Sequence, residues 1–262
     1  MKTGIVLSGG GARGIAHLGV LQALEESGIR IDAMAGTSSG AIVAALYAAG
    51  NRPGHIKELL KENSYFGVSR IRLRGAGIFN MEGLKQLLQQ HIASACFEDL
   101  PIKVFVAATD IAERRSVIFS KGSLLEAVMA SACVPFLFEP VSYQGKEWVD
   151  GGILNNFPVE PLEDCCGSII GSHVNRLADS LPGKTDLRKM HILERCFHMT
   201  IAGAVYEKTP KCHLFLDPPE LARYGLFDIR QADEIYEIGY QHCMLHSKEL
   251  LAFAPDMNQH RL

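Results

Sequence analysis

The first fifty residues contain two strand-to-helix units in direct succession, each with glycines at its turn. A buried strand over Thr3–Ser8 precedes a helix over Ala12–Ser27, which Gly28 ends. A second strand over Ile29–Ala35 precedes a helix over Ser39–Ala49. Because strands that alternate with helices form parallel sheets, this pattern predicts an α/β fold with a mainly parallel sheet covered on both faces.

The rest of the chain adds further strands and helices without an evident boundary. We expect strands or extended chain at Ile102–Thr109, Ser116–Ser120, Pro135–Val141, Trp148–Ile153, Ser168–His173 and Cys212–Leu216, with long helices at Leu187–Glu207 and Arg230–Ala252. No repeat, low-complexity tract or linker divides the sequence. The 262 residues can bury one sizeable core, so we predict one domain over 1–262.

Composition narrows the class of partner and the compartment. A net charge of -3 gives no reason to expect nucleic acid, since its binders concentrate positive charge. Seven cysteines lack the spacing of a disulfide framework or a zinc site, which fits a reducing compartment. We therefore expect a cytoplasmic protein that could make peripheral contact with a membrane surface. The oligomeric state stays open.

The second turn, Gly36-Thr37-Ser38-Ser39-Gly40, has the G-x-S-x-G pattern of a nucleophile elbow. Glycines two residues before and after Ser38 relieve crowding, so its hydroxyl can project from a sharp bend. The following helix directs its N-terminal N–H groups at the same point, which favours developing negative charge. The alternative is a plain glycine-bounded turn whose serines cap a helix.

The first turn, Gly9-Gly10-Gly11-Ala12-Arg13-Gly14, is the second candidate site. Successive glycines allow backbone N–H groups to converge on an anion, such as the oxyanion of a tetrahedral intermediate. Amides of Gly10, Gly11 and the Ser39 position would be its donors. The same stretch also satisfies the G-x-G-x-x-G dinucleotide fingerprint, with Asp32 expected at the end of the next strand. An oxidoreductase is therefore the rival interpretation.

The third candidate is Asp150-Gly151-Gly152, at the end of an extended run. A carboxylate followed by two glycines can face a site without obstruction and accept the proton of an attacking serine. A simple turn that uses Asp150 as its side-chain acceptor is the alternative. Asp110, after the strand that ends at Thr109, competes for the role of base, and we expect it to be structural.

These three motifs, in this order, resemble the patatin-like phospholipase family. Ala130-Ser131 with Pro135, and Asn155-Asn156 with Pro158, extend the likeness over roughly residues 3 to 160. The resemblance implies a three-layer α/β/α fold and a Ser38–Asp150 dyad that hydrolyses lipid acyl esters without a metal or organic cofactor. A non-catalytic regulatory protein of the same fold is a further alternative.

Histidines and the segment before the second helical region are less informative. His173, His191 or His198 could complete a serine triad, although each is more simply a core or surface residue. His17 is expected to pack or hydrogen-bond within the first helix. The apolar and basic segment Phe66–Phe79 could form an interfacial loop over a lipid substrate.

Overall fold

The computed structural model describes residues 2–62, 81–92, 96–135, 137–176, 199 and 204–253. Eight strands within these ranges form one sheet: β1 Thr3–Leu7, β2 Ala33–Thr37, β3 Lys103–Asp110, β4 Arg115–Phe119, β5 Val141–Tyr143, β6 Lys146–Asp150, β7 Ser168–Ser172 and β8 Leu214–Leu216. The helices are α1 Ala16–Glu26, α2 Ser39–Ala48, α3 Pro53–Glu62, α4 Met81–His91, α5 Leu124–Ser131, α6 Glu160–Glu163, α7 Ala232–Leu245 and α8 Ser247–Leu250.

The sheet is mixed and mostly parallel. Its order is β5-β6-β3-β2-β1-β7-β8. Strands β2 and β6 pair with successive parts of one edge of β3, and β4 pairs with the opposite edge. The five strands from β3 to β8 in this order run parallel, whereas β4, β5 and β6 are antiparallel to their neighbours. The predicted α/β class with a mainly parallel sheet is therefore confirmed.

Alternating side chains divide the core into two apolar layers. Ile5 and Leu7 of β1 lie in the larger cluster with residues of α1, α2 and α5. Val6 lies in a smaller cluster with Phe157 and Leu162. Because successive residues of a strand point to opposite faces, the sheet separates these layers, and helices cover both faces.

Helices α1 and α7 pack with their backbones in close approach. A Cβ atom at Gly239 would lie 2.7 Å from the carbonyl carbon of Ala16, and one at Gly19 would lie 2.6 Å from the Tyr240 nitrogen. Glycine is therefore required at both positions for this crossing. No helix in the described ranges is long and apolar enough to cross a bilayer.

Several predicted boundaries were wrong. Strand β2 begins at Ala33, not at Ile29, and includes Gly36 and Thr37. Of the extended stretch expected over Pro135–Val141, only Val141 belongs to a strand among the described residues. It begins the hairpin of β5 and β6, whose turn residues Gln144 and Gly145 both have positive φ, 54° and 71°. Such a turn matches the twist of short antiparallel strands.

The C-terminal predictions had mixed outcomes. The strand at Cys212–Leu216 is shorter, and the final helix is interrupted at His246. Three predictions lie outside the described residues: most of the helix expected at Leu187–Glu207, the whole segment Phe66–Phe79, and His191 and His198. Phe66–Phe79 falls entirely within the undescribed range 63–80.

Candidate active site

Ser38 occupies a sharp bend between β2 and α2. Its backbone angles are φ 54° and ψ -122°, a left-handed conformation that is unfavourable for a residue with a side chain. A Cβ atom at Gly36 would lie 2.6 Å from the Gly40 carbonyl carbon, and one at Gly40 would lie 2.7 Å from the Ser8 oxygen. Both glycines are therefore needed for the strand and helix to meet at this bend.

Ser131 stabilises the bend through a hydrogen bond. Its hydroxyl oxygen, at the end of α5, accepts a hydrogen bond of 2.8 Å from the Ser38 N–H. Ser131 is fully buried, so this acceptor satisfies an amide that the bend would otherwise leave unpaired. In the sequence, Ser131 is indicated only as part of the patatin-like resemblance. No local sequence signal indicates this contact, because 93 positions separate the two residues.

Sheet register explains how Asp150 reaches Ser38. Strand β2 runs parallel to β3, and its last residue, Thr37, pairs with Ala107. Strand β6 runs antiparallel, and its last residue, Asp150, pairs with Ala108. Since β4 pairs with the other edge of β3, β2 and β6 share one edge and their carboxyl ends meet at neighbouring register positions.

Asp150 is a buried carboxyl with few polar neighbours. Its side chain is buried, with 2% of the residue exposed, and Oδ1 accepts a hydrogen bond of 2.7 Å from the Gly152 N–H. Burial raises the pKa of Asp150 to about 6, and this effect outweighs the lowering by the Ser38 hydroxyl and the Gly152 N–H. The carboxyl therefore changes charge near pH 6, which suits a group that accepts a proton in a reaction.

The backbone around Asp150 is also fixed. Its N–H donates to the Cys133 carbonyl at 2.8 Å, and its carbonyl accepts from the Thr109 hydroxyl at 3.0 Å. Burial, and secondarily the Asp150 charge, raises the pKa of the Cys133 thiol to about 12. Cys133 is thus a neutral thiol beside the carboxyl.

The glycine loop lies against the nucleophile. A Cβ atom at Gly9 would be 3.0 Å from the Ser38 Cβ, and one at Gly14 would be 2.6 Å from the Ser39 Cβ. Gly11 has φ 58°, and its Cβ would be 3.1 Å from the Leu226 carbonyl carbon. The loop can therefore approach the bend only because these positions lack side chains.

Not every amide of the predicted anion site is available. The N–H groups of Gly9, Ala12 and Arg13 donate to the carbonyls of Asn156, Leu226 and Gly10 at 3.3, 2.8 and 3.2 Å. Among the described residues, the amides of Gly10 and Gly11 have no hydrogen-bond partner. Together with the Ser39 amide at the start of α2, they are the candidate donors.

The Arg13 side chain is buried. The sequence leaves two roles open for Arg13, positioning of the glycine loop and contact with an anionic headgroup, and its burial favours the first.

Asp32 is placed unlike the acid of a dinucleotide site. It lies before the first residue of β2, and its carboxylate accepts from the Thr3 N–H at 2.9 Å and bonds Arg30 at 2.8 Å. The prediction that Asp32 ends a strand was therefore wrong. Because the glycine loop follows the opposite end of β1, one dinucleotide cannot use both features as the fingerprint requires.

Asp110 and His17 have structural partners. Asp110 accepts from the Glu113 N–H at 2.9 Å and from Lys146 at 2.8 Å, and these contacts lower its pKa. His17 is buried, with Nδ1 2.7 Å from the Ser172 hydroxyl and Nε2 2.8 Å from the Ser8 carbonyl. Burial lowers the pKa of His17 to about 4, so it is neutral at physiological pH. It joins α1 to two strand ends, not to its own helix.

His173 is buried among aromatic rings and paired with Asp217 at 2.9 Å. Its ring stacks on Phe215, and Phe157 contacts its edge. No described contact joins it to Ser38 or Asp150. The described part of the chain also holds no group of three or more His, Cys, Asp or Glu side chains suited to a metal ion.

Residues 5–163, more than half of the chain, match the sequence family described as Patatin-like phospholipase. The chain belongs to the patatin-like phospholipase family. The match includes the glycine loop, the bend at Ser38 and Asp150, as the resemblance predicted. It ends before β7, so the strands and helices that follow lie outside the family match.

Curated relatives share this part of the sequence. An uncharacterized NTE family protein of Mycobacterium tuberculosis is 34% identical over 163 residues, covering 62% of this chain and 45% of the relative. Lysophospholipase nte1 of Emericella nidulans is 29% identical over 278 residues, covering 90% of this chain and 17% of the relative. The chain thus spans less than half the length of these relatives.

Solved structures share the fold. VipD from Legionella pneumophila has a TM-score of 0.54 at 16% identity, over 96% of this chain and 67% of that chain. A structure of the ExoU-SpcU complex from Pseudomonas aeruginosa gives 0.51 at 16% identity, over 97% and 52%. At these identities the likeness concerns the architecture alone.

Proposed function

We propose that the chain hydrolyses acyl esters of lipids, with Ser38 as nucleophile and Asp150 as general base. The observation that carries this proposal is the convergence of a strained serine bend and a buried carboxyl whose pKa is about 6. Family membership supports a lipid substrate. The amides of Gly10 and Gly11, which have no partner in the described ranges, support stabilisation of an oxyanion.

The reaction would begin with transfer of the Ser38 hydroxyl proton to Asp150 as the oxygen attacks the ester carbonyl carbon. The carbonyl electrons move to its oxygen, and the amides of Gly10, Gly11 and Ser39 would stabilise that charge. Collapse of the intermediate breaks the bond to the alcohol, which takes the proton from Asp150. An acyl-enzyme remains on Ser38.

Water would complete the cycle by the same groups. Asp150 accepts a proton from the attacking water, and the second tetrahedral intermediate collapses to free fatty acid while Ser38 regains its proton. Because Asp150 must be ionised at both attacks, the rate should fall as pH decreases through its pKa of about 6. No step requires a metal or an organic cofactor.

Phospholipids and lysophospholipids are the substrates that we favour, since relatives include proteins named lysophospholipases. Contact with a lipid surface would bring an ester to Ser38, which is only 8% exposed. Leu154 follows the Asp150 turn and is 48% exposed, and Ile111 at the end of β3 is 50% exposed. These two exposed apolar side chains are candidates for contact with that surface. Cytoplasmic location stays a prediction.

The test compares wild type, Ser38→Ala and Asp150→Asn on a soluble p-nitrophenyl ester and on lysophosphatidylcholine micelles. We expect each variant to lose about 10³-fold or more in kcat while unfolding cooperatively. A fluorophosphonate probe should label Ser38 in every protein with full activity and should leave Ser38→Ala unlabelled. Ser27→Ala, at the end of α1, is the matched control and should keep full activity.

Separate results would contradict separate parts of the proposal. Labelling at another serine, or full activity of Ser38→Ala, would reject the nucleophile. Full activity of Asp150→Asn would reject the base but not the nucleophile. Hydrolysis of the soluble ester without lipid turnover would reject the substrate class.

A further inference from the structure

Beyond the family match, the chain supplies a side chain that holds the glycine loop. Asn175 follows β7 and is 1% exposed. Its Nδ2 group donates a hydrogen bond to the Gly9 carbonyl. Asn156 Nδ2 donates to the same carbonyl at a longer distance, 3.4 Å. Two side-chain amides therefore hold one carbonyl oxygen of the loop.

The geometry of the peptide bond converts this contact into a direction for an amide donor. In a trans peptide the carbonyl oxygen and the next N–H point to opposite sides of the chain. Fixing the Gly9 oxygen on one side thus fixes the Gly10 N–H on the other. The same relation holds one residue later, where the Gly10 oxygen accepts from the Arg13 N–H at 3.2 Å and so orients the Gly11 N–H.

Asn175 is itself held in place by the strand ends beneath the loop. The adjacent Val174 N–H donates to the Ser8 hydroxyl at 3.1 Å, and the Ser8 N–H donates to the Ser172 carbonyl at 3.1 Å. A Cβ atom at Gly10 would lie 2.5 Å from the Val174 side chain and 3.0 Å from the Asn175 Oδ1. Val174 and Asn175 are therefore in direct contact with the loop.

The other end of the Asn175 amide argues against a packing role alone. Its Oδ1 is buried and has no hydrogen-bond partner among the residues that the structure describes. A buried acceptor without a partner is unfavourable, so an apolar side chain of similar volume would fill this space better. The feature that such a side chain would lack is the Nδ2 donor to Gly9.

We propose that Asn175 is a positioning residue of the oxyanion hole. It does not touch the reacting atoms, but it keeps the Gly10 N–H directed at the oxygen on which charge develops. This inference rests on the proposed hydrolase function. It also gives a role to the segment after β7, which lies outside residues 5–163 of the family match.

The experiment compares Asn175→Ala and Asn175→Leu with wild type on the soluble ester. Leucine keeps the volume and removes the donor, so one variant remains informative if the other fails to fold. We expect kcat to fall about 10- to 100-fold, less than the loss for removing a whole oxyanion donor, with KM changed by less than about twofold.

Inhibitor binding separates positioning of the oxyanion hole from general loosening of the fold. A trifluoromethyl ketone that forms a tetrahedral adduct with Ser38 should lose affinity by about the same factor as kcat. The matching ketone without fluorine, which binds mainly as a ground-state analogue, should bind as in the wild type. A purely structural defect would not divide the two ligands in this way.

Asn51→Ala is the matched control. The Asn51 amide also donates to backbone carbonyls, those of Leu46 and His91, both at 2.9 Å. It lies beyond the far end of α2, about 15 Å along the helix from Ser38. This variant should keep the wild-type kcat and affinity for the trifluoromethyl ketone.

The outcomes distinguish this inference from the function on which it rests. Wild-type kcat in a folded Asn175 variant, or equal losses for both ketones, would overturn the positioning role while Ser38-dependent turnover stands. Wild-type chain that shows no turnover dependent on Ser38 would overturn the hydrolase proposal itself.

Discussion

Asp150→Asn should make the fold more stable at neutral pH while it removes the proposed base. The Asp150 carboxyl is buried, and burial raises its pKa from 3.8 to about 6. The folded protein therefore resists ionisation of this group. Asparagine has nearly the same shape, carries no charge and can still accept the hydrogen bond from the Gly152 N–H.

The magnitude follows from the difference in pKa. A change from 3.8 to about 6 is roughly two units, which corresponds to about 3 kcal/mol at 1.36 kcal/mol per unit. Because the folded-state pKa is raised, the stability that this group contributes is complete below 3.8 and is lost as pH rises through about 6. We expect Asp150→Asn to gain about 3 kcal/mol at pH 8 and less than about 1 kcal/mol at pH 4.

His17 makes the comparison with wild type necessary. Burial lowers the pKa of His17 from 6.5 to about 4, so its contribution to stability rises with pH in that window. The contribution of Asp150 falls over nearly the same window, and the two slopes oppose each other in the wild type. Since His17 is present in both proteins, their difference isolates Asp150.

Urea unfolding at pH 8 and pH 4, followed by tryptophan fluorescence and circular dichroism, measures this difference. Asp164→Asn, at an exposed position after α6, is the control and should show no pH-dependent gain. A gain in stability that is equal at both pH values, or no gain at pH 8, would refute the assignment of a strained, buried charge to Asp150.

Two further substitutions test the scaffold. Ser131→Ala should destabilise the fold by about 1–3 kcal/mol, because the Ser38 N–H would be left buried without an acceptor. The same variant should react more slowly with the fluorophosphonate probe. An unchanged labelling rate would show that the bend does not need this contact. Gly239→Ala should lower the free energy of unfolding by about 1–3 kcal/mol in urea titrations, because its Cβ would overlap Ala16. Gly54→Ala in α3 is the control, because a Cβ atom at this position would have no atom within 4 Å. Equal effects at both glycines would contradict the close crossing of α1 and α7.

The sequence predicted the parallel part of the fold well because local patterns determine it. Apolar runs identified β1, β3 and β7 to within a residue or two. The hairpin of β5 and β6 was missed because its strands have only three and five residues and its first strand is only partly buried. Asp32 was misplaced because β2 starts later than its apolar residues indicate.

By itself, the sequence determined the candidate groups: glycines that permit a tight bend and loop, a serine between them and a carboxyl before two glycines. These are local properties of residue type and spacing. Tertiary structure alone decided that Thr37 and Asp150 end at adjacent positions of β3, and that Asn175 reaches the Gly9 carbonyl. Such contacts depend on strand register and on packing between residues far apart in the chain, which no local pattern encodes.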